Sequence, residues 1–407
     1  FCLVMRTLTM ILPTFGLTPS RIAGRITTYH YVQRHCFTCK SASAIGRSFS
    51  PNRVSLSLSS SSSSLPSSSS SSSYWTLVMK DAIEYLQQGN VPESEESVFQ
   101  LLAWTLQLNW EDGHRKLRNM YFYSTSNDKS QSSYNFDRNS MTFQELEIFQ
   151  SFLERRYSME PIQYIVGQWD FLDHTFWIDP PLLCPRPETE ELVLLAEQDV
   201  RSQLYQTKTT KEPTTIDSKQ QMQPPPQLFS ILDIGCGTGV IGISLCSRLS
   251  NHVKVDAIDI DPMAISVSQR NAERILGIDW NHKYQVRLQN IQDTPLQSTN
   301  QKYDMVVSNP PYIPQSDMST LSMDVIQYES HTALFGGVDG LDIIQSILEQ
   351  LPTLCRSGAI CWMEVDPSHP SRIQQMIQQN PNYSKIQFVS SHEDMFGKLR
   401  FVKIRVL

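Results

Sequence analysis

From Glu188 to the C-terminus the sequence switches between short apolar runs and amphipathic stretches, and this alternation constrains the fold more than any other feature. Residues 229–234, 253–258, 284–288, 303–307 and 359–365 read as strands, and a closing strand pair follows. Residues 188–200, 240–249, 262–276 and a stretch from Asp339 read as helices. Strands separated by helices argue for a doubly wound, mostly parallel sheet. Ligands of such sheets sit beyond the carboxyl ends of the strands, so the residues that follow each strand are where chemistry is expected.

The first of these places is "LDIGCGTGVIG". Gly235, Gly237 and Gly239, with Cys236 and Thr238 between them, follow a strand and open a helix, where backbone can turn tightly and leave free amides for a ligand. A glycine loop alone is also what a plain tight turn looks like. Two acids sharpen the reading. Asp259 ends the next strand, about 20 residues on, where a carboxylate accepts both ribose hydroxyls. Asp233 precedes the first glycine, giving D-x-G-x-G-x-G rather than the G-x-G-x-x-G of dinucleotide folds. An acid there suits a ligand with an ammonium and a sulfonium better than a pyrophosphate, which points to S-adenosylmethionine.

The second place is "MVVSNPPYIP". Prolines stop a strand because they lack a backbone donor, but that leaves Asn309 and Tyr312 unexplained. Methylating a planar nitrogen requires its NH2 group to be held in line with the methyl donor. The Asn309 side-chain oxygen and the Pro310 carbonyl can each accept one of its hydrogens, orienting the nitrogen and stabilising developing charge. Pro311 adds rigidity and no competing N–H, and Tyr312 offers a flat face for a planar group.

The rest of the chain divides by composition. Residues 1–73 carry seven Lys or Arg and no Asp or Glu, leaving 27 basic against 41 acidic residues, a balance of −14, for the remainder. Arg6, Arg21, Arg25, Arg34, Lys40, Arg47 and Arg53 stand among Ser, Thr and apolar residues ahead of a serine tract. This is the composition of a transit peptide for a mitochondrion or, alternatively, a plastid, with a disordered tail as the plainer reading. "LTMILPTFGL" is too short to span a bilayer, so no membrane association is expected. Of the eight cysteines only Cys36 and Cys39 form a C-x-x-C, beside His35; one pair is weak grounds for zinc, and no metal is expected. Residues 74–165 read as a small helical domain, in which Val98, Leu101, Leu102 and Leu106 share a face and Thr142 with Glu145 has capping-box spacing. Residues 124–140 and 207–227 read as polar insertions, and residues 166–187 as a β-hairpin linker around Asp173 and His174. Residues 188–407 then form the catalytic domain.

"MEPIQYIVG", "LLCPRPETEELV", "DIGCGTGVIGISL", "IDIDPMAISVSQRNAE", "SNPPYIP", "YESHTALFGGVDGLDII" and "EDMFGKLRFV" resemble, in order, the blocks of the HemK/PrmC family. The resemblance runs from about residue 74 to the end, apart from the insertions. It implies an α/β, Rossmann-like class I S-adenosylmethionine-dependent methyltransferase with a small N-terminal helical domain joined by a β-hairpin. It also implies methylation of the glutamine side chain in the Gly-Gly-Gln loop of a class I peptide chain release factor, here an organellar one. Carried over by position, residues 235–239 line the methionine part of the cofactor, Asp259 its ribose, and Asn309 to Tyr312 the glutamine. Asp293 and Thr294 fall near the adenine, although the small Thr294 replaces an often aromatic residue. Ser330 stands where a proline is common, and "MEVDPSH" replaces a more usual E-x-G segment. Arg186 and Glu188 are expected to border the site or simply to stiffen the entry to a helix.

N-P-P-Y also serves N6-adenine methyltransferases of DNA or RNA. Those need a cationic surface, and the acidic balance after residue 73 with no basic cluster argues against direct nucleic-acid binding. A non-catalytic scaffold keeping the fold is a further alternative.

Overall fold

A computed structural model describes residues 71–108, 110–125, 139–209, 228–293 and 302–407. The leader as far as residue 70, Cys36 and Cys39, Thr294 and most of both polar insertions lie outside the described residues. All described residues belong to one compact unit.

Helices come first: α1 (Ser71–Gln88), α2 (Ser94–Thr105), α3 (Trp110–Thr125), α4 (Phe143–Tyr157) and the short α5 (Ile162–Val166). Val98, Leu101, Leu102 and Leu106 are all buried, as the periodicity predicts. α4 starts with the predicted capping box: Glu145 N donates to Thr142 Oγ1 at 3.2 Å, and Thr142 N to Glu145 Oε2 at 2.8 Å. The sequence reading did not anticipate α3. It is largely polar and holds Gly113, so its inward face rests on a few residues such as Leu117 and Met120.

The hairpin β1 (Gln168–Phe171) and β2 (His174–Trp177) follows, then α6 (Pro187–Thr209), β3 (Phe229–Ile234), α7 (Val240–Leu249), β4 (Val253–Asp259), α8 (Pro262–Leu276), β5 (Tyr284–Leu288) and β6 (Tyr303–Ser308). The chain continues through α9 (Met323–Tyr328), α10 (His331–Leu334), α11 (Asp342–Leu354), β7 (Cys355–Glu364), α12 (His369–Gln379), β8 (Ile386–Glu393) and β9 (Leu399–Val406). α12 was not foreseen, because its buried apolar stripe reduces to Ile373 and Ile377.

The seven strands run β5-β4-β3-β6-β7-β9-β8, parallel except for β9, which is antiparallel to both neighbours. β3 is buried at every position, as a central strand covered on both faces must be. Ile231 packs into the core on the side of α6 and α7, with Val193, Ala196 and Ile243. Leu232 and Ile234 pack into the opposite core with Ile344, Leu348 and Ile373. Fully burying each such side chain contributes about 1.5–3 kcal/mol.

Register is what builds the site. Ile234 pairs with Ile258 on one side and Ser308 on the other. The next residues, Gly235, Asp259 and Asn309, therefore leave three adjacent strands at one sheet edge. No helix among the described residues is long and apolar enough to cross a membrane.

Candidate active site

One cavity opens at this edge, walled by Gly235, Cys236, Gly237, Thr238, Asp259, Asn309, Pro310 and Pro311 together with Arg186 and Thr189. Its loop is open on one side and closed on the other. Gly235 and Gly237 have φ of 72° and 53°, and a Cβ on either would meet nothing within 4 Å. Gly239, with φ of 86°, would bring a Cβ to 2.6 Å from both Ile243 Cδ1 and Ser268 Oγ, so it packs against the helices behind.

Asp259 holds that loop in place. Its Oδ2 accepts from Gly237 N at 2.8 Å and its Oδ1 from Asp261 N at 3.0 Å. Burial pushes its carboxyl up, partly opposed by these backbone donors. A carboxylate has about four acceptor positions, so each oxygen keeps capacity for a ligand hydroxyl. Ile260 and Ile291 add apolar wall beside it. An open glycine backbone, a half-buried carboxylate and flanking isoleucines fit an adenosyl ligand with a ribose diol.

Asp233 is placed differently from the expectation that it faces a cationic ligand group. The two-residue alternation of β3 sends it to the side of Ile231, away from Ile234. It is fully buried and absent from the cavity wall; its Oδ2 accepts from Gly242 N at 3.0 Å, and its Oδ1 has no hydrogen-bond partner. Burial, reinforced by the charge of Asp259, pushes its carboxyl up to about 7. Gly239, Asp293 and Tyr312 are also outside the wall, where Gln289, Asn290, Ile291 and Gln292 stand instead of Asp293.

Asn309 is held by a buried chain of hydroxyls and charge. Its Nδ2 donates to Thr189 Oγ1 at 3.1 Å, and Thr189 Oγ1 donates to Glu364 Oε2 at 2.7 Å. Tyr312 Oη donates to Glu364 Oε1 at 3.3 Å and accepts from Arg400 Nη1 at 3.4 Å. Arg400 Nε in turn donates to Asp394 Oδ2 at 3.0 Å. Burial pushes the Glu364 carboxyl up to about 6 and raises the Tyr312 phenol. Among the described residues no group of three His, Cys, Asp or Glu is placed to hold a metal ion.

The family described as Methyltransferase small domain matches residues 220–338. A human protein, the MTRF1L release factor glutamine methyltransferase, is 33% identical over 275 residues, 65% of this chain and 73% of that one. The release factor glutamine methyltransferase of Bacillus cereus is 31% identical over 265 residues, 65% of this chain and 83% of that protein. That of Lactococcus lactis is 32% identical over 273 residues, covering 67% and 87%. The chain belongs to the release factor glutamine methyltransferase family. It is accordingly a methyltransferase that uses S-adenosylmethionine.

Several residues around this candidate site were not legible in the sequence. Thr189 and Glu364 lie 175 positions apart and meet only because α6 packs over the end of β7. Asn271, fully buried on α8, accepts from Trp177 N at 2.8 Å and donates to Trp177 O at 3.0 Å and Thr238 O at 2.9 Å, tying the hairpin to the glycine loop. Arg186 does line the cavity, and its Nη2 grips both oxygens of buried Glu329 at 2.8 and 2.9 Å. That pair fastens the "PRPETE" segment to the "YES" segment across the mouth. A local signal existed only for Arg186 and Thr189, which share that proline-rich motif.

Proposed function

We propose that this protein methylates the side-chain amide nitrogen of the glutamine in the Gly-Gly-Gln loop of an organellar class I release factor. The observation that carries the reading is the Asn309 carboxamide: its Nδ2 is engaged by Thr189, which leaves Oδ1 as the free end at the cavity wall. S-adenosylmethionine, when bound, supplies an electrophilic methyl group on a sulfonium. The loop from Gly235 to Thr238 cradles the methionine portion, and Asp259 takes the ribose hydroxyls. Asn309 Oδ1 and the Pro310 carbonyl each accept a hydrogen of the substrate NH2, which orients the nitrogen and stabilises charge developing on it. Tyr312, its hydroxyl held by Glu364, stiffens the N-P-P-Y segment from behind the wall.

The helical segment from residue 74 to 165 reads the surface of the partner, and the basic leader directs the protein to a mitochondrion or plastid. The human relative carries a release-factor name, and the acid-free leader composition supports import. Mass spectrometry of the Gly-Gly-Gln peptide from organellar release factors, with and without this enzyme, tests the reading. Methylated glutamine is expected only with the enzyme. Robust methylation of adenine in DNA or RNA with none of the glutamine would overturn it.

A further inference from the structure

We infer that Thr189 and Glu364 are positioning residues that decide which end of the Asn309 carboxamide faces the substrate. The inference rests on the reading of Asn309 as an acceptor for the substrate amide.

The argument follows the hydrogens. An ionised carboxylate only accepts, so both hydroxyls that touch Glu364 must donate to it. Thr189 has one hydroxyl hydrogen, and Glu364 takes it at 2.7 Å. The Thr189 oxygen is then left solely as an acceptor. Of the two ends of the Asn309 side chain, only NH2 can satisfy it, as the 3.1 Å contact has it. Oδ1 is thereby aimed at the slot, where an NH2 substrate needs an acceptor. Water does not easily replace this relay, since Thr189 is 3% exposed and Glu364 1%. The same carboxylate holds Tyr312, so one buried group anchors both ends of the Asn309–Tyr312 segment.

Protonation reverses the logic. A neutral Glu364 can donate to Thr189, which frees the Thr189 hydrogen for Asn309 Oδ1 and turns the amide over. The substrate then meets a donor instead of an acceptor. The groups that bear on Glu364 are Thr189 and Glu188 from α6, Tyr312 beyond β6 and Arg400 from β9; Glu188 favours the neutral form, and Arg400 and both hydroxyls favour the charged one. Its carboxyl, pushed up to about 6 by burial, places the reversal at mildly acidic pH.

The test uses the full chain with a release factor as substrate and S-adenosylmethionine, measuring kcat, KM, cofactor affinity by calorimetry and thermal midpoint. Thr189→Val keeps the shape of the side chain and removes the relay. We expect kcat to fall about 10²-fold, the scale of a misplaced reacting group, with cofactor affinity within about threefold of wild type. Thr189→Ser, which restores a hydroxyl, recovers most of that loss. Glu364→Gln, which can donate to Thr189 as protonated Glu364 does, lowers kcat similarly even at neutral pH. The wild-type rate declines as pH falls through about 6, and Thr189→Val lacks this acid limb. Full turnover in Thr189→Val beside an inactive Asn309→Ala would overturn the relay and leave the reading of the site intact. Loss of cofactor affinity and thermal midpoint in parallel with kcat would assign both residues a merely structural role and equally overturn it. Unimpaired Asn309→Ala would instead overturn the underlying reading of the site.

Discussion

Asn309 and Asp259 share the same sheet edge, and the proposed function gives them different halves of the reaction, so their variants should fail differently. Asn309→Ala removes one preorganised acceptor and should lower turnover about 10²–10³-fold while cofactor affinity holds. Asp259→Ala removes a charged acceptor of ligand hydroxyls and should weaken S-adenosylmethionine binding by about 1.5–3 kcal/mol; unchanged affinity in calorimetry would retire the ribose assignment. Asp233 belongs to the fold instead. Burial pushes its carboxyl up to about 7 from an ordinary 3.8, so between those values the folded state keeps a proton that the unfolded chain has lost. The stability this confers is complete below the lower value and is lost as pH rises through the upper one. Asp233→Asn offers Gly242 N the same acceptor and cannot ionise. Its thermal midpoint should therefore gain on wild type as pH is raised from about 5 to about 8, and a constant difference would count against the shift.

At the scale of the element, the glycine loop separates ligand contact from folding within five residues. Gly237→Ala puts a methyl into open space at φ of 53°, where a non-glycine residue costs about 1–2 kcal/mol, so its main effect should be on cofactor affinity. Gly239→Ala drives a Cβ into Ile243 and Ser268 at φ of 86° and should lower the thermal midpoint far more. Comparing unfolding with and without cofactor distinguishes the two; equal midpoints in the two apo variants would contradict this assignment. Asn271 works between elements. Asn271→Ala leaves the buried Thr238 carbonyl without this donor, at a cost of roughly 1–3 kcal/mol, and removes two part-buried bonds to Trp177, so it should destabilise the hairpin and the loop together.

Across the whole molecule, the helical segment is joined by side-chain hydrogen bonds to α9 and to the segment that enters α6. Tyr328 Oη donates to Ser158 O at 2.7 Å, and Tyr164 Oη donates to Leu182 O at 2.5 Å beside the cavity. A helical layer anchored this close to the mouth is suited to seat a folded partner while its glutamine enters the slot. Full-length release factor should therefore be methylated with a much higher kcat/KM than its isolated Gly-Gly-Gln peptide. Equal values for the two substrates would remove the recognition role from residues 74–165.

The sequence by itself determined most of the strands and long helices and the order in which they follow one another. Runs rich in apolar residues marked β3, β4 and β6 nearly to the residue, because strands covered on both faces are mostly apolar. Local motifs likewise marked the glycine loop, Asp259 and Asn309, since each directly follows a strand. Helices α3 and α12 escaped because they are polar overall, with few apolar residues to mark an inward face. What only the tertiary structure decided was the direction and company of the polar side chains. The pleat of β3 sent Asp233 under the loop, and the packing of α6 over β7 brought Thr189 to Glu364 and so to Asn309. Those contacts span 175 and 120 positions, and hydrogen bonds between such distant residues leave no periodic trace along the chain.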